Sequence, residues 1–152
     1  TATRSFQNPR PILGNTRMDH TTKDQDMNAL SIPEEDFEAA ERAKLIADHS
    51  DRFRNTWGAD FTIPGQIVMT QAVAALSPAC MVKVMAAIQR FDDFNEDNDP
   101  YGTHEFGMVE IDGHNVMFKI DAYDQNLEYG SPDPTDPSVT TRVLTILLAS
   151  EY

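Results

Sequence analysis

The sequence is short of cysteine, of long apolar runs and of positive charge. Its single cysteine, Cys80, excludes an intramolecular disulfide and is expected to be a small core residue. Every apolar stretch is too short for a membrane span, and the first residues lack the apolar run of a secretory signal. We therefore predict a protein of the reducing cytoplasm that does not associate with membranes.

Motifs for common cofactors and reactions are also missing. We find no paired cysteine motifs for zinc, no His-Glu-x-x-His, no phosphate-binding glycine loop and no nucleophile elbow. Residues 93–97 begin like a calcium-binding loop, but Asn98 stands where that loop needs glycine and His104 where it needs glutamate. No cofactor is predicted, and a divalent cation held by Asp97 and Asp99 stays an open alternative.

Negative charge is concentrated in the second half of the chain. The formal net charge is -13, and the segment from Asp92 to Asp136 contains thirteen carboxylates and only one lysine or arginine residue, Lys119. Such a field repels phosphate backbones, so it disfavours direct nucleic-acid binding and favours a basic protein surface or a cation as partner. The alternative is that the acidity only keeps the protein soluble.

The length of 152 residues and the 40% hydrophobic content fit one domain with a real core. Residues 1–30 show no apolar periodicity and are predicted to be a flexible tail, followed by a single domain over residues 31–152. The prediction is an α+β fold with a small antiparallel sheet, which is built on a central hairpin and packed against two amphipathic helices.

Two helices and two further strands follow from local patterns. Ser31 and Glu34 have capping-box spacing and open a helix that ends near Gly58. Ser77 and Pro78 open the second helix. Residues 66–70 and 139–149 are predicted strands, with a terminal helix as the alternative for the latter. In the first helix the predicted apolar face is Ala39, Ala43, Ile46, Phe53 and Trp57, and the predicted solvated side is Glu41, Lys44, Asp48, Arg52 and Arg54.

The hairpin is the clearest feature, because Asp112-Gly113 joins two strand-like runs and suits a type I′ turn. That turn sets the register, which pairs Phe106 with Lys119 and His104 with Asp121. The carboxylates of the preceding loop, residues 92–99, then lie close by. The sequence thus predicts a polar cluster of His104, Lys119, Asp121, Asp97 and Asp99.

This cluster has a functional and a structural interpretation. In the functional one, Asp121 orients His104 as a general acid or base, Lys119 stabilises developing negative charge, and Asp97 and Asp99 hold a cation. In the structural one, the charges form an ion network and the loop side chains cap backbone amides. The residues predicted for partner binding are Asp92, Asp93, Glu96, Asp97, Asp99, Tyr101 and Glu105.

Several short motifs between about Ala40 and Tyr152 also occur in one bacterial family. They are Phe91-Asp92-Asp93-Phe94, Asp97-Asn98-Asp99-Pro100-Tyr101-Gly102, His104-Glu105-Phe106-Gly107, Lys119-Ile120-Asp121, Ser131-Pro132-Asp133-Pro134 with Asp136-Pro137, Arg142-Val143-Leu144-Thr145-Ile146, and Glu151-Tyr152. In these the chain resembles short proteins of unknown function that are often carried on plasmids and other mobile elements in alphaproteobacteria. The resemblance implies a mobile-element context and no particular activity.

Two functions are therefore predicted. The first is an accessory protein that binds a basic host or plasmid protein, in the manner of an antirestriction or antidefence inhibitor. The second is a metal-assisted hydrolase or transferase that uses His104, Asp121 and Lys119.

Overall fold

The computed structural model describes residues 32–152, and it has the predicted α+β class. Helix α1 spans Glu34–Asn55, and strand β1, Gly65–Met69, is followed by the short helix α2, Gln71–Ala74. Helix α3 spans Pro78–Arg90, and the strands β2, Phe106–Ile111, β3, His114–Tyr123, and β4, Thr141–Leu148, complete the sheet. Two 3-10 turns, Pro137–Val139 and Ala149–Glu151, flank β4.

The four strands are ordered β1-β4-β3-β2. The predicted hairpin register is confirmed, since Ile111 lies opposite His114 and Phe106 opposite Lys119. Strand β4 pairs antiparallel with β3, whereas β1 pairs parallel with β4. The sheet is therefore mixed, which corrects the prediction of an antiparallel sheet within the confirmed α+β class. The parallel pair arises because the chain passes through α2, α3 and the hairpin before β4 returns beside β1.

Helix α3 starts as predicted, because the Ser77 hydroxyl accepts a hydrogen bond from the Cys80 amide at 3.1 Å and Pro78 occupies the first turn. Cys80 is buried, together with Val84 and Ile88 on the same stripe. Helix α2 was not predicted from the sequence. It begins where the Thr70 hydroxyl accepts from the Val73 amide at 3.3 Å.

Helix α1 differs from its prediction on both faces. Ser31 of the predicted capping box lies outside the described residues. On the predicted apolar face Phe53 is fully buried, but Ala39 is exposed. Arg54, placed on the solvated side by the sequence pattern, is only 2% exposed, so that placement is wrong. The physical reason is that its guanidinium donates hydrogen bonds to the Ile88 and Phe91 carbonyls inside the fold.

The core lies on one face of the sheet. Phe118, Leu144 and Ile146 of the sheet pack in one cluster with Phe53 of α1 and Ile88 of α3. Residues 38–152 form one compact unit, and the domain boundary predicted at residue 31 stays a prediction. None of the helices described between residues 32 and 152 has the length and apolar character that crossing a membrane requires.

Two buried polar side chains stand out in this unit. Arg142 is fully buried, and its Nη2 donates to the Pro134 carbonyl at 2.7 Å. His49 is 5% exposed, and its Nδ1 has no hydrogen-bond partner among the described residues. Burial, followed by the nearby charge of Arg142, lowers the pKa of His49 below 6.5.

This lowered pKa predicts a loss of stability in mild acid. Below pH 6.5 the unfolded chain binds a proton at His49 that the folded chain resists, so the free energy of unfolding falls as pH decreases. The slope contributed by one such proton is at most about 1.4 kcal/mol per pH unit. In urea titrations between pH 7.5 and 5.5, His49→Gln should flatten this fall, whereas His114→Gln, at an exposed position, should not. Equal pH slopes for wild type and His49→Gln would contradict the assignment.

Candidate functional site

His104 and Asp51 make a close polar contact between the segment before β2 and helix α1. The Nδ1 atom of His104 lies 3.0 Å from both carboxylate oxygens of Asp51 on helix α1. Both side chains are about one third exposed, His104 at 31% and Asp51 at 32%. A carboxylate only accepts hydrogen bonds, so Nδ1 must carry the proton, which leaves the lone pair of a neutral ring on Nε2. This is the arrangement that orients a histidine for proton transfer.

Aromatic packing fixes the plane of the His104 ring. The ring stacks on Phe94 with a centroid separation of 4.0 Å and an interplanar angle of 4°. Phe94 in turn meets Phe91 edge to face, with centroids 5.0 Å apart. His104 is therefore held from two directions, by the Asp51 carboxylate at its edge and by Phe94 on one face.

Arg54 supports this pair from inside the fold. Its Nε donates to the Ile88 carbonyl at 3.0 Å and its Nη2 to the Phe91 carbonyl at 2.9 Å. Nη2 also lies 3.1 Å from the Asp51 carboxylate. The guanidinium carbon lies 5.3 Å from the Phe94 ring centre and 5.5 Å from that of Phe118. The remaining nitrogen, Nη1, is buried and has no hydrogen-bond partner among the described residues. Arg54 thus caps the carboxyl end of α3 and joins it to α1.

The acidic loop, residues 92–99, connects α3 to this site. Hydrogen bonds from its own side chains stabilise it. Asn95 Oδ1 accepts from the Asp97 amide at 2.9 Å, and Asn98 Oδ1 accepts from the Asn95 amide at 2.9 Å. Asn98 Nδ2 donates to the Asp93 carbonyl at 2.8 Å. These are the Asx-type bonds that fix tight loops. As a result the loop has a defined shape.

Asp99 closes the loop. Its carboxylate accepts from the amides of Thr103 at 3.0 Å and of His104 at 3.2 Å, and its side chain is 7% exposed. One of its oxygens lies 3.9 Å from Nε2 of His104. Asp99 therefore has the amide-capping role that the structural interpretation predicted for loop carboxylates.

The structure brings the predicted polar cluster together only in part, since Asp99 lies beside His104 whereas Lys119 and Asp121 pair with each other. Lys119 Nζ donates to Asp121 at 2.9 Å, and this hydrogen bond raises the pKa of Lys119. His104 contacts Asp51 instead of Asp121, so the predicted His104–Asp121 pair is corrected. The reason is local, since His104 has φ = 58° and leaves the extended conformation that would continue the strand ladder beyond Phe106.

Some of the predicted metal ligands and binding residues turn inward, and the others are exposed. Within residues 32–152, no three His, Cys, Asp or Glu side chains are grouped so that they could hold a metal ion, and Asp97 and Asp99 have no third such partner. Asp99 and Glu105 are drawn inward, and burial raises the pKa of Glu105. The exposed members of the predicted binding set are Asp92, Asp93, Glu96, Asp97 and Tyr101.

A cavity of about 460 Å³ opens beside His104. The last turns of α1 and α3 line it through residues such as Arg54, Asn55 and Arg90, and the acidic loop contributes Asp92 and Phe94. Its volume falls in the range of small-ligand sites, about 300–1,000 Å³. The cavity therefore joins the His104–Asp51 pair, the acidic loop and two helix ends.

Sequence reasoning missed Asp51, Arg54 and Asn55 in this site. Asp51 is 53 residues from His104, and no local pattern links the two. Asp51 and Arg54 do have the i, i+3 spacing of a helical ion pair, which was the one available signal.

Comparison with known proteins places the loop and the hairpin in a described family. Residues 69–151, more than half of the chain, match the family model described as "Protein of unknown function (DUF3768)". No curated protein and no solved structure is significantly similar to the chain. His104 and the acidic loop lie inside the matched range, whereas Asp51 and Arg54 precede it.

Proposed function

The chain belongs to the DUF3768 family, whose description gives no activity, and we propose that it acts by binding a basic protein through its acidic loop. The observation that carries this proposal is that four loop carboxylates are exposed and have no ion-pair partner among the described residues. These carboxylates are those of Asp92, Asp93, Glu96 and Asp97.

The shape of the loop supports the proposal as much as its charge does. A flexible acidic tail loses conformational freedom when it binds, whereas a loop already held by Asn95, Asn98 and Asp99 loses little. Phe94 anchors the loop on His104, so the loop does not need to fold onto its partner. Fixed charges of one sign accelerate association with a basic surface and select against acidic ones.

We further propose that the partner is a host or plasmid protein. The support is the resemblance to proteins carried on mobile elements, and an inhibitor of a restriction or other defence enzyme is one form of this proposal. The alternative predicted from the sequence, a metal-assisted hydrolase or transferase that uses His104, Asp121 and Lys119, stays a prediction. In the structure Asp51, and not Asp121, contacts His104.

Neutralising the loop carboxylates should weaken binding to a basic probe. We expect the change Asp92→Asn/Asp93→Asn/Glu96→Gln/Asp97→Asn to weaken affinity for octa-arginine about a hundredfold at low salt, because four charge contacts of about 0.7 kcal/mol each are lost. Affinity measured by calorimetry should also fall for wild type as ionic strength rises.

The matched control removes four exposed carboxylates elsewhere, through Glu38→Gln, Glu41→Gln, Glu110→Gln and Glu128→Gln. Both variants have the same net charge. Comparing their affinities therefore distinguishes the contribution of the loop carboxylates from that of the overall charge. A control loss of only a few-fold is expected. Equal losses in the two variants would show that the affinity comes from net charge alone and would reject the loop as the binding surface.

A further inference from the structure

Strand β1 forms one edge of the sheet. Within residues 32–152 the strand order is β1-β4-β3-β2, so the described strands cover β1 on one side only. Four of its five residues are exposed. Gly65 is one of these, and because glycine has no side chain, the atoms that it exposes belong to the main chain. The edge is therefore open to another strand.

The ladder with β4 shows which main-chain groups lie on this edge. The Arg142 amide donates to the Pro64 carbonyl at 3.0 Å, and the Thr70 amide donates to the Ile146 carbonyl at 3.1 Å. In a parallel ladder, residues that bond to the neighbouring strand alternate with residues whose N–H and C=O groups point the opposite way. Positions 64 and 70 bond to β4, so the outward groups are those of the odd positions, Gly65, Ile67 and Met69.

The surface around this edge is uncharged and partly apolar. Residues 61–82 contain no Asp, Glu, Lys, Arg or His, although the chain as a whole has a net charge of -13. Phe61 is 93% exposed, Val68 40% and Met69 41%. Natural proteins commonly protect an edge strand with charged side chains. The opposite edge, β2, carries the exposed Glu110, whereas β1 has no such protection.

Charge and register favour a second copy of the chain as the occupant of this edge. Two acidic copies repel each other where their carboxylates meet, so they approach most easily through an uncharged stretch. A basic partner would find no carboxylate on β1. In an antiparallel pair centred on Ile67, each Met69 lies opposite Gly65 of the other copy, which has no side chain to obstruct it.

From these observations we infer that the protein forms a homodimer in which two β1 strands pair antiparallel about Ile67. The pairing joins the two four-stranded sheets into one continuous sheet and satisfies the outward N–H and C=O groups of both edges. This inference goes beyond the proposed function and does not depend on it, since the acidic loop takes no part in the pairing.

Sedimentation equilibrium tests the pairing. Wild type should show a monomer–dimer equilibrium that shifts towards the dimer as the salt concentration rises, because salt screens the repulsion between two acidic copies. Met69→Pro should weaken the dimer about thirtyfold, because each copy loses one outward N–H donor. The matched control is Met108→Pro, which changes an exposed methionine on the opposite edge and should leave the dimer unchanged.

A second pair of variants makes the test independent of any effect of proline on folding. Val68→Glu and Met108→Glu each add one carboxylate at an exposed position, but only Val68→Glu adds it at the proposed interface. Val68→Glu should weaken the dimer about tenfold, because the pairing would bury the new charge. Met108→Glu should weaken it less than about twofold.

The outcomes distinguish this inference from the proposed function. A wild type that stays monomeric at high protein and salt concentrations would overturn the homodimer and would leave the edge to a strand of another protein. A dimer that the β1 and β2 variants weaken equally would also overturn it, because that dimer forms elsewhere. So would a dimer that dissociates as salt rises. Binding of octa-arginine to the acidic loop has the opposite salt dependence, so each proposal can fail without the other.

Discussion

Replacing Arg54 with alanine is expected to lower the free energy of unfolding by about 3 kcal/mol. The substitution removes charged hydrogen bonds to the Ile88 and Phe91 carbonyls, after which the Ile88 carbonyl keeps only the Phe91 amide as a donor. It also leaves Asp51 without its guanidinium partner and opens a gap between Phe94 and Phe118. The loss should appear in urea denaturation as a lower midpoint with an unchanged slope.

Arg54→Lys should recover little of this stability, because one ammonium cannot reach both carbonyl groups and the carboxylate in the geometry of a planar fork. The control is Arg90→Ala, which removes an exposed arginine from the neighbouring turn and should change the free energy of unfolding by less than about 0.5 kcal/mol. Similar small effects for Arg54→Ala and Arg90→Ala would show that Arg54 does not join the two helices.

Gly65→Ala is expected to destabilise the fold by a similar amount, about 3 kcal/mol. A β-carbon at this position would collide with the Arg142 backbone oxygen and would lie 2.5 Å from Cε1 of Phe53. Neither neighbour can yield easily, since Arg142 pairs with Gly65 in the parallel ladder and Phe53 is fully buried. Thermal unfolding of the purified variant measures the effect.

Gly130→Ala is the matched control, because a β-carbon there has open space within 4 Å. Its melting temperature should stay close to that of wild type. If Gly65→Ala also left the melting temperature unchanged, strand β1 would have room to move away from β4. That result would refute the close packing of the parallel pair.

Local sequence signals predicted the elements whose structure is decided locally. The Asp112-Gly113 turn fixed the register of β2 and β3 because a two-residue loop leaves no freedom in the pairing. Ser77 and Pro78 predicted the start of α3 for the same kind of reason, since capping is decided within one turn. The strand predicted at residues 139–149 is confirmed as β4, Thr141–Leu148.

The site depends on contacts that are distant in sequence. Nothing near His104 indicates that its partner is Asp51, and the left-handed backbone at His104 interrupts the alternation on which the predicted Asp121 pairing depended. The apolar periodicity of α1 likewise predicted that Arg54 is exposed. A pattern of residue types does not reveal that a charged side chain is buried and donates hydrogen bonds to carbonyl groups there. The parallel pairing of β1 with β4 is also non-local.

The most direct test of the account is to map amide chemical-shift changes while octa-arginine is titrated into the isotopically labelled protein. Binding through the acidic loop predicts that the largest changes fall on residues 92–97. These changes should disappear at high salt. Changes spread evenly over exposed carboxylates, including those of Glu38, Glu41 and Glu128, would contradict the account and would leave net charge as the whole explanation of binding.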